Sequence, residues 1–304
     1  MRARDAMKPA RVLPRAGGGL TVLGLSFVMV WCTGYIAGRM MLDHAAPFTA
    51  LVWRFAGAAM VFAVLALAVR ARASRRDVLH SAVAGVLMLS MQFGGVYLAM
   101  AWGASAGVAA LVIGAMPLLV ALLAFFAGTE RPHRAQWCGL LLGFAGVVLV
   151  VVDRVDGATS ARAWIGLLVG LLGISLGTLY QKRYSSKIDL RIGLAVQNLS
   201  ATLVLLPLAL AEGFRFESAA GFYQPLAWTV LVNSVGGFAL LFVLVRRDAA
   251  TAVASLFFLM PPVTALFGHW LLGEHLTVLK GAGFVLAAAG VWLATRTPRR
   301  AAED

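Results

Sequence analysis

Residues 78–129 read VLHSAVAGVLMLSMQFGGVYLAMAWGASAGVAALVIGAMPLLVALLAFFAGT, with no Asp, Glu, Lys or Arg anywhere in the stretch. A hydrocarbon core of about 30 Å is crossed by roughly 20 helical residues, so the stretch holds two membrane spans. Trp102-Gly103-Ala104-Ser105 supplies the turn between them. An open sheet would leave unpaired backbone groups in lipid, and the alternating pattern of a membrane barrel is not visible, so both spans are expected as helices.

Outward from this stretch, the charge-free runs 16–38, 55–69, 135–152, 163–181, 192–211, 218–245, 249–273 and 281–295 each supply one more span. The second begins at Pro47 and takes in Arg54, and the last begins near Thr277 and lets Lys280 reach the interface along its aliphatic stem. The chain therefore reads as an all-α integral membrane protein with ten transmembrane helices. Of its 304 residues 61% are apolar and 13% charged, against about 45–50% and about 25% in soluble domains. A single soluble domain is excluded.

Ten spans put both termini on one side. The clusters Arg2 to Arg15, Arg70 to Arg76, Arg131 and Arg134, Lys182 to Arg191, Arg246-Arg247 and Arg296 to Arg300 fall there, whereas Arg39, Arg154, Arg162, Arg215 and Lys280 fall on the other side. That bias of about four to one places both termini in the cytoplasm. The net charge of +13 is thus a topology signal and not a nucleic-acid surface. The basic arm before the first apolar run imitates a signal peptide, but the run is long and lacks a small-x-small cleavage site, so it is expected to stay as a helix. Cys32 and Cys138 lie inside spans without metal-ligand spacing and are read as small apolar packing residues.

A shift of 144 positions lays Met116-Pro117 on Met260-Pro261, Ala121 on Ala265, Glu130 on Glu274, Gly139 on Gly283 and Gly146-Val147 on Gly290-Val291. One half therefore reads as a copy of the other. With five spans per half the second copy enters the membrane from the opposite side, the inverted repeat that secondary transporters use for alternating access. The expected divisions are a disordered basic arm 1–16, a first repeat 17–153, a second repeat 163–295 and a cytoplasmic tail 296–304.

At these residues the chain resembles the drug/metabolite transporter superfamily, in its EamA-type ten-span branch. The resemblance runs from about Leu20 to Thr295 and rests on two blocks. Ala104 to Val152 carries Met116-Pro117, Gly128-Thr129-Glu130, Gly139, Gly143 and Gly146, and Ala249 to Ala294 carries Met260-Pro261-Pro262, Gly273-Glu274, Gly283 and Gly290. Trp53-Arg54-Phe55 is similar to the family's arginine-aromatic start of the second helix, whereas the second half has Gln197-Asn198-Leu199 at the matching place. The resemblance implies two inverted five-helix EamA-type repeats, with spans 1–4 and 6–9 around a central cavity and spans 5 and 10 at the periphery. It also implies transport, often outward, of small metabolites such as amino acids, with no cofactor.

Polar groups near the bilayer centre are costly unless paired or facing water, so they are the first candidates for a substrate pathway. Counting half-way along each expected span gives Trp31, Gln92, Ser175, Asn233 and the pairs Met116-Pro117 and Met260-Pro261. Gln92 and Asn233 can donate and accept, which suits a neutral or zwitterionic solute and serves equally to tie neighbouring helices. Pro117 and Pro261 are expected to kink their helices and free a carbonyl. Arg54 lies about 10 Å into its span at about 1.5 Å per residue. It reads either as a bidentate partner for a substrate carboxylate or as a structural residue whose head snorkels outward. Glu130 and Glu274 close the fourth and ninth spans and read as charges at the start of the next helix. Proton coupling through Glu274 and His269 is the other reading, and no metal site is read.

The sequence thus describes a secondary transporter in the cytoplasmic membrane, not an enzyme, that exports small organic metabolites such as amino acids. The alternative within the fold is a lipophilic-drug exporter, with Trp31, Met116, Met260, Phe257 and Phe258 lining an adaptable apolar cavity. Alternatives of another class are a non-transporting sensor and a membrane-embedded enzyme. Against the enzyme, His44, His80, His133, His269 and His275 are scattered rather than clustered. The partners are a small-molecule substrate and the lipid bilayer. Gly139, Gly143 and Gly146 offer a close-packing face that suits a homodimer or internal packing equally well.

Overall fold

The computed structural model describes residues 22–126, 134–152, 160–185, 188–237, 239–240, 243–244 and 259–295. The first half holds α1 (Val22–Met41), α2 (Pro47–Ala68), α3 (Arg75–Ala101), α4 (Ala106–Gly114), α5 (Met116–Phe126) and α6 (Arg134–Val152). The second holds α7 (Ala161–Tyr184), α8 (Leu190–Ala211), α9 (Ala220–Ala227), α10 (Met260–Leu272) and α11 (Val278–Thr295). Among the described residues there is no strand, and one antiparallel bridge, Ala45 to Phe216, joins two loops. Six stretches are long and apolar enough to cross a membrane: α1, α2, α3, Ala106–Leu123 running from α4 into α5, α7 and α8.

Local chemistry sets where these helices begin. Ser74 and Asp77 form a reciprocal capping box at the start of α3, Ser105 caps α4 and Ser160 caps α7. Each hydroxyl accepts from an N–H that has no partner inside its own helix. Pro47 opens α2, where its missing N–H costs nothing. Between α3 and α4 the chain reverses through Gly103 at φ 99°, a left-handed conformation that side chains disfavour.

The exterior is the inverse of a soluble protein's. Leu141, Phe144, Val285 and Trp270 are each about two-thirds exposed or more (68%, 67%, 69% and 71%), the surface that a lipid environment requires. Cys138 belongs to this exterior, exposed on α6 beside the exposed Trp137, which corrects its reading as a packing residue. The cause is that α6 turns its glycines inward. Cys32 is buried and its Sγ donates to the Met260 carbonyl at 3.4 Å.

The packing has a regular plan. Helix α2 lies against α8, α4 against α10, and α6 against α11, while α3 packs on α7 and α1 on α9. Helix α3 changes to π-helical winding at Val86–Met91, and α9 continues into a π-helical stretch at Trp228–Gly236. Moved by the 144 positions that align the sequence blocks, the first π stretch falls inside the second. Where α6 meets α11, a Cβ on Gly146 would come 2.7 Å from the Gly283 carbonyl, and one on Gly290 would come 2.7 Å from the Gly139 carbonyl. The glycine face is therefore spent inside the chain, drawing two helices into backbone contact.

Candidate substrate site

The structure sorts the residues expected at mid-depth into two groups. In the first, Trp31 on α1 packs beside Phe27 at 5.3 Å between ring centres and joins Cys32, Leu244 and Met260 in one apolar cluster. Asn233 reaches the same stretch of α1, its Nδ2 donating to the Val30 carbonyl, while its Oδ1 is buried without a partner among the described residues. In the second group, Gln92 on α3 is buried where α3 crosses α7, close enough that a Cβ on Gly173 would stand 2.9 Å from its backbone nitrogen. Ser175 follows on α7, fully buried with its hydroxyl unpaired among the described residues, and Met116 accepts from Thr178 of α7 at 3.7 Å. The 144-residue shift carries Met116 onto Met260 and Trp31 onto Ser175, so the two groups occupy matching places in the two halves.

Pro117 does not kink a continuous helix, as the sequence reading expected. Helix α4 ends at Gly114, Ala115 closes it with φ −77° and ψ 0°, and α5 starts afresh at Met116. Helix α10 is described from Met260, with Leu259 before it already in a helical conformation, and residues 251–258 lie outside the described ones. Pro117 is tolerated in the first turn of α5 because the N–H it lacks would have no partner anyway. The break before Met116 faces Pro261, since a Cβ on Gly114 would sit 3.0 Å from Pro261 Cγ and one on Gly107 3.0 Å from Ala265 Cα.

Arg54 does not snorkel. It is 6% exposed, Nη1 donates to the Tyr97 hydroxyl at 3.1 Å, and the guanidinium lies 4.4 Å from the centre of the Phe93 ring and 5.9 Å from that of Phe55. The stem could reach the interface, but the ring faces of α2 and α3 hold the cation inside by charge–quadrupole attraction. Sequence reasoning missed Phe93 and Tyr97. Their spacing of four residues puts both on one face of α3, a signal that stands in the charge-free stretch but points nowhere without its neighbour. At the matching place of the second half Asn198 turns back on its own helix, donating to the Leu194 carbonyl at 2.8 Å.

Glu274 also departs from expectation. Its carboxylate reaches across to α4 rather than starting its own next helix, accepting from the N–H groups of Ala106 at 2.5 Å and Gly107 at 3.3 Å. With Ser105 Oγ taking the Val108 N–H, the three free donors of the first helical turn of α4 are satisfied before the Ala109 N–H makes the first i→i−4 bond to the Ser105 carbonyl. Gly273, left-handed at φ 67°, ends α10 and lets the chain turn back toward it. His269 meets the Glu274 backbone, with Nδ1 2.8 Å from its carbonyl oxygen, and not the carboxylate. Burial holds the Glu274 carboxyl above the ordinary carboxylate range, opposed by the two backbone donors and by the charges of Arg39 and Lys280. A second such tie, which the sequence did not suggest, runs from Glu212 to the N–H of Thr49 at 2.6 Å and its hydroxyl at 3.0 Å. Glu130, Phe257 and Phe258 lie outside the described residues, as do the 1–16 arm and the 296–304 tail.

A helical bundle with an apolar exterior, buried neutral polar groups and interleaved halves defines a membrane transporter of the drug/metabolite type. The chain belongs to the EamA-like transporter family, whose model matches it twice, over residues 19–152 and 161–296. It is 24% identical over 270 residues to the uncharacterised inner membrane transporter YedA of Escherichia coli strain K12, covering 86% of each chain. It is 25% identical over 283 residues to a probable amino-acid metabolite efflux pump of the same strain, covering 90% of this chain and 93% of that protein. A solved crystal structure with 18% identity superposes with a TM-score of 0.63 over 90% of this chain and 96% of the other, a likeness of fold.

Proposed function

We propose that this membrane transporter exports small organic metabolites, amino acids first, across the cytoplasmic membrane by alternating access of two inverted five-span halves. The halves are residues 17–153 and 163–295, and ten spans leave the arm 1–16 and the tail 296–304 in the cytoplasm. The observation that carries the reading is the matching of the two mid-depth groups, Trp31 with Asn233 and Met260, and Ser175 with Gln92 and Met116. Two halves that can exchange conformations give inward-open and outward-open states of similar energy. The paired π stretches and the break at Ala115 support the same plan, because irregular backbone at depth is sustained where protein or a water-filled cavity covers it.

Neutral donors and acceptors at mid-depth suit a zwitterion's polar atoms. The name of the efflux-pump relative points to the same substrate class. Everted membrane vesicles carrying the protein are expected to accumulate at least one of a labelled panel of neutral, aromatic and acidic amino acids over empty-vector vesicles. Asn233→Ala and Gln92→Ala are each expected to lower that uptake at least tenfold, about 1.4 kcal/mol of lost binding or barrier stabilisation, with the protein still folded. Uptake of none of the panel would sink the amino-acid reading and favour the lipophilic-drug exporter, for which Trp31, Met116 and Met260 supply the apolar surface.

A further inference from the structure

We propose that Arg54 is the substrate's oxyanion anchor, and that the solutes carried by this protein bear a carboxylate. The inference deepens the transport reading above and rests on it. Its starting point is a charge without a counter-charge. Among the described residues the ion pairs are Arg39 with Asp43, His44 with Glu217 and Arg191 with Asp189, and Arg54 takes part in none. Its Nε is buried and makes no hydrogen bond among the described residues, and the Tyr97 hydroxyl, on Nη1, is the one acceptor found for the whole guanidinium.

A guanidinium carries five N–H donors in a planar fork. Burying it with Nε unpaired and the charge uncompensated is unfavourable unless something supplies acceptors and negative charge. Water, a lipid headgroup and a ligand are the candidates. The position disfavours the lipid: the side chain is 6% exposed and held between α2 and α3 by Phe93, Phe55 and Tyr97. Those rings fix the plane of the fork before any ligand arrives. A preorganised fork loses little entropy on meeting a carboxylate, whose two oxygens match two parallel N–H bonds.

Placement supports a role in transport. Arg54 stands seven residues into α2, and the Tyr97 hydroxyl it bonds lies against α1, where a Cβ on Gly38 would stand 2.7 Å from it. One turn back on α1 a Cβ on Gly34 would come 3.1 Å from Asn233 Nδ2, and the half-buried Tyr35 ring packs on the same core as Phe55 and Tyr97. Three residues before Tyr35 on α1 is Cys32, which is bonded to Met260, and Trp31 precedes it. The anchor thus lies beside the first of the two mid-depth groups. A carboxylate held at Arg54 would direct the rest of the solute toward them. At the matching place the second half carries Asn198, a neutral residue with its amide donor satisfied. One end of the pathway is therefore charged and the other neutral, an asymmetry that sets the orientation of a zwitterion.

The test uses the intact protein in everted vesicles that take up a labelled amino acid. Uptake is challenged with the unlabelled acid, its methyl ester and the amine left by decarboxylation. The acid is expected to compete at least tenfold better than either analogue in the wild type. Arg54→Lys is expected to keep part of that preference, since it keeps a charge without the fork. Arg54→Gln is expected to lose it, the three compounds competing alike. Equal competition in the wild type overturns the proposal without touching transport itself, and so does a preference that survives in Arg54→Gln. If no amino acid moves at all, the transport reading has failed for this class. The anchor is then judged on the purified wild-type chain by thermal stabilisation with phenylacetate against methyl phenylacetate. Selective stabilisation by the acid upholds it, and equal or absent stabilisation overturns it.

Discussion

Gly290→Val is expected to abolish accumulation of folded protein. A Cβ at residue 290 would collide with the Gly143 backbone nitrogen, stand 2.5 Å from Gly143 Cα and 2.7 Å from the Gly139 carbonyl oxygen. All three are backbone atoms, so no rotamer change can make room and α6 must move away from α11 as a whole. Overpacking costs about 1–3 kcal/mol where side chains can adjust, and this site lies at or beyond the top of that range because none can. Size-exclusion chromatography in mild detergent should show the symmetric peak replaced by aggregate. Gly281→Val is the control, since a Cβ there meets nothing within 4 Å. A monodisperse Gly290→Val protein melting like the wild type would remove the close α6–α11 contact.

Replacing Glu274 is expected to have the next largest effect, with a pH dependence whose sign can be worked out. Glu274→Ala strands the Ala106 and Gly107 donors at the start of α4. The loss is about 2 kcal/mol, the upper part of the range for a cap and in keeping with hydrogen bonds to a charged group. Burial raises the carboxyl's pKa in the folded chain. The folded state therefore binds the proton more readily than the unfolded one, and this group's contribution is full below the unfolded carboxylate pKa of about 4.3. It is lost as pH rises through the higher, folded value. Glu274→Gln keeps an acceptor but cannot ionise, so it should match the wild type in acid and gain on it as the pH rises toward neutral. Melting curves in detergent across that window check this, and a wild-type curve parallel to that of Glu274→Gln would refute it.

These residues also separate what was legible in the chain from what was not. The Met-Pro pairs were visible as repeat markers, yet the placement of Pro117 in the first turn of a new helix was not. A proline's effect depends on whether the turn before it stays helical, and Ala115, two residues before Pro117, leaves helical geometry. Asn233 could be read as a substrate ligand or an interhelical tie, and the bond to Val30 shows its amide donor tied to α1. The glycines of α6 announced close packing without naming the partner, which is α11 of the same chain.

By itself the sequence determined the helical class, the position of the apolar stretches and the repeat at 144 residues. Lipid imposes its demand locally: each span must satisfy its own backbone and present apolar side chains, so every stretch carries its own record. Tertiary structure alone decided that Arg54 turns onto Phe93 and Tyr97, that Glu274 caps α4, and that Glu212 ties to Thr49. These contacts join residues 43, 168 and 163 positions apart. They depend on how each helix is rotated about its axis and on which neighbour it meets, and neither is fixed by hydropathy along one helix.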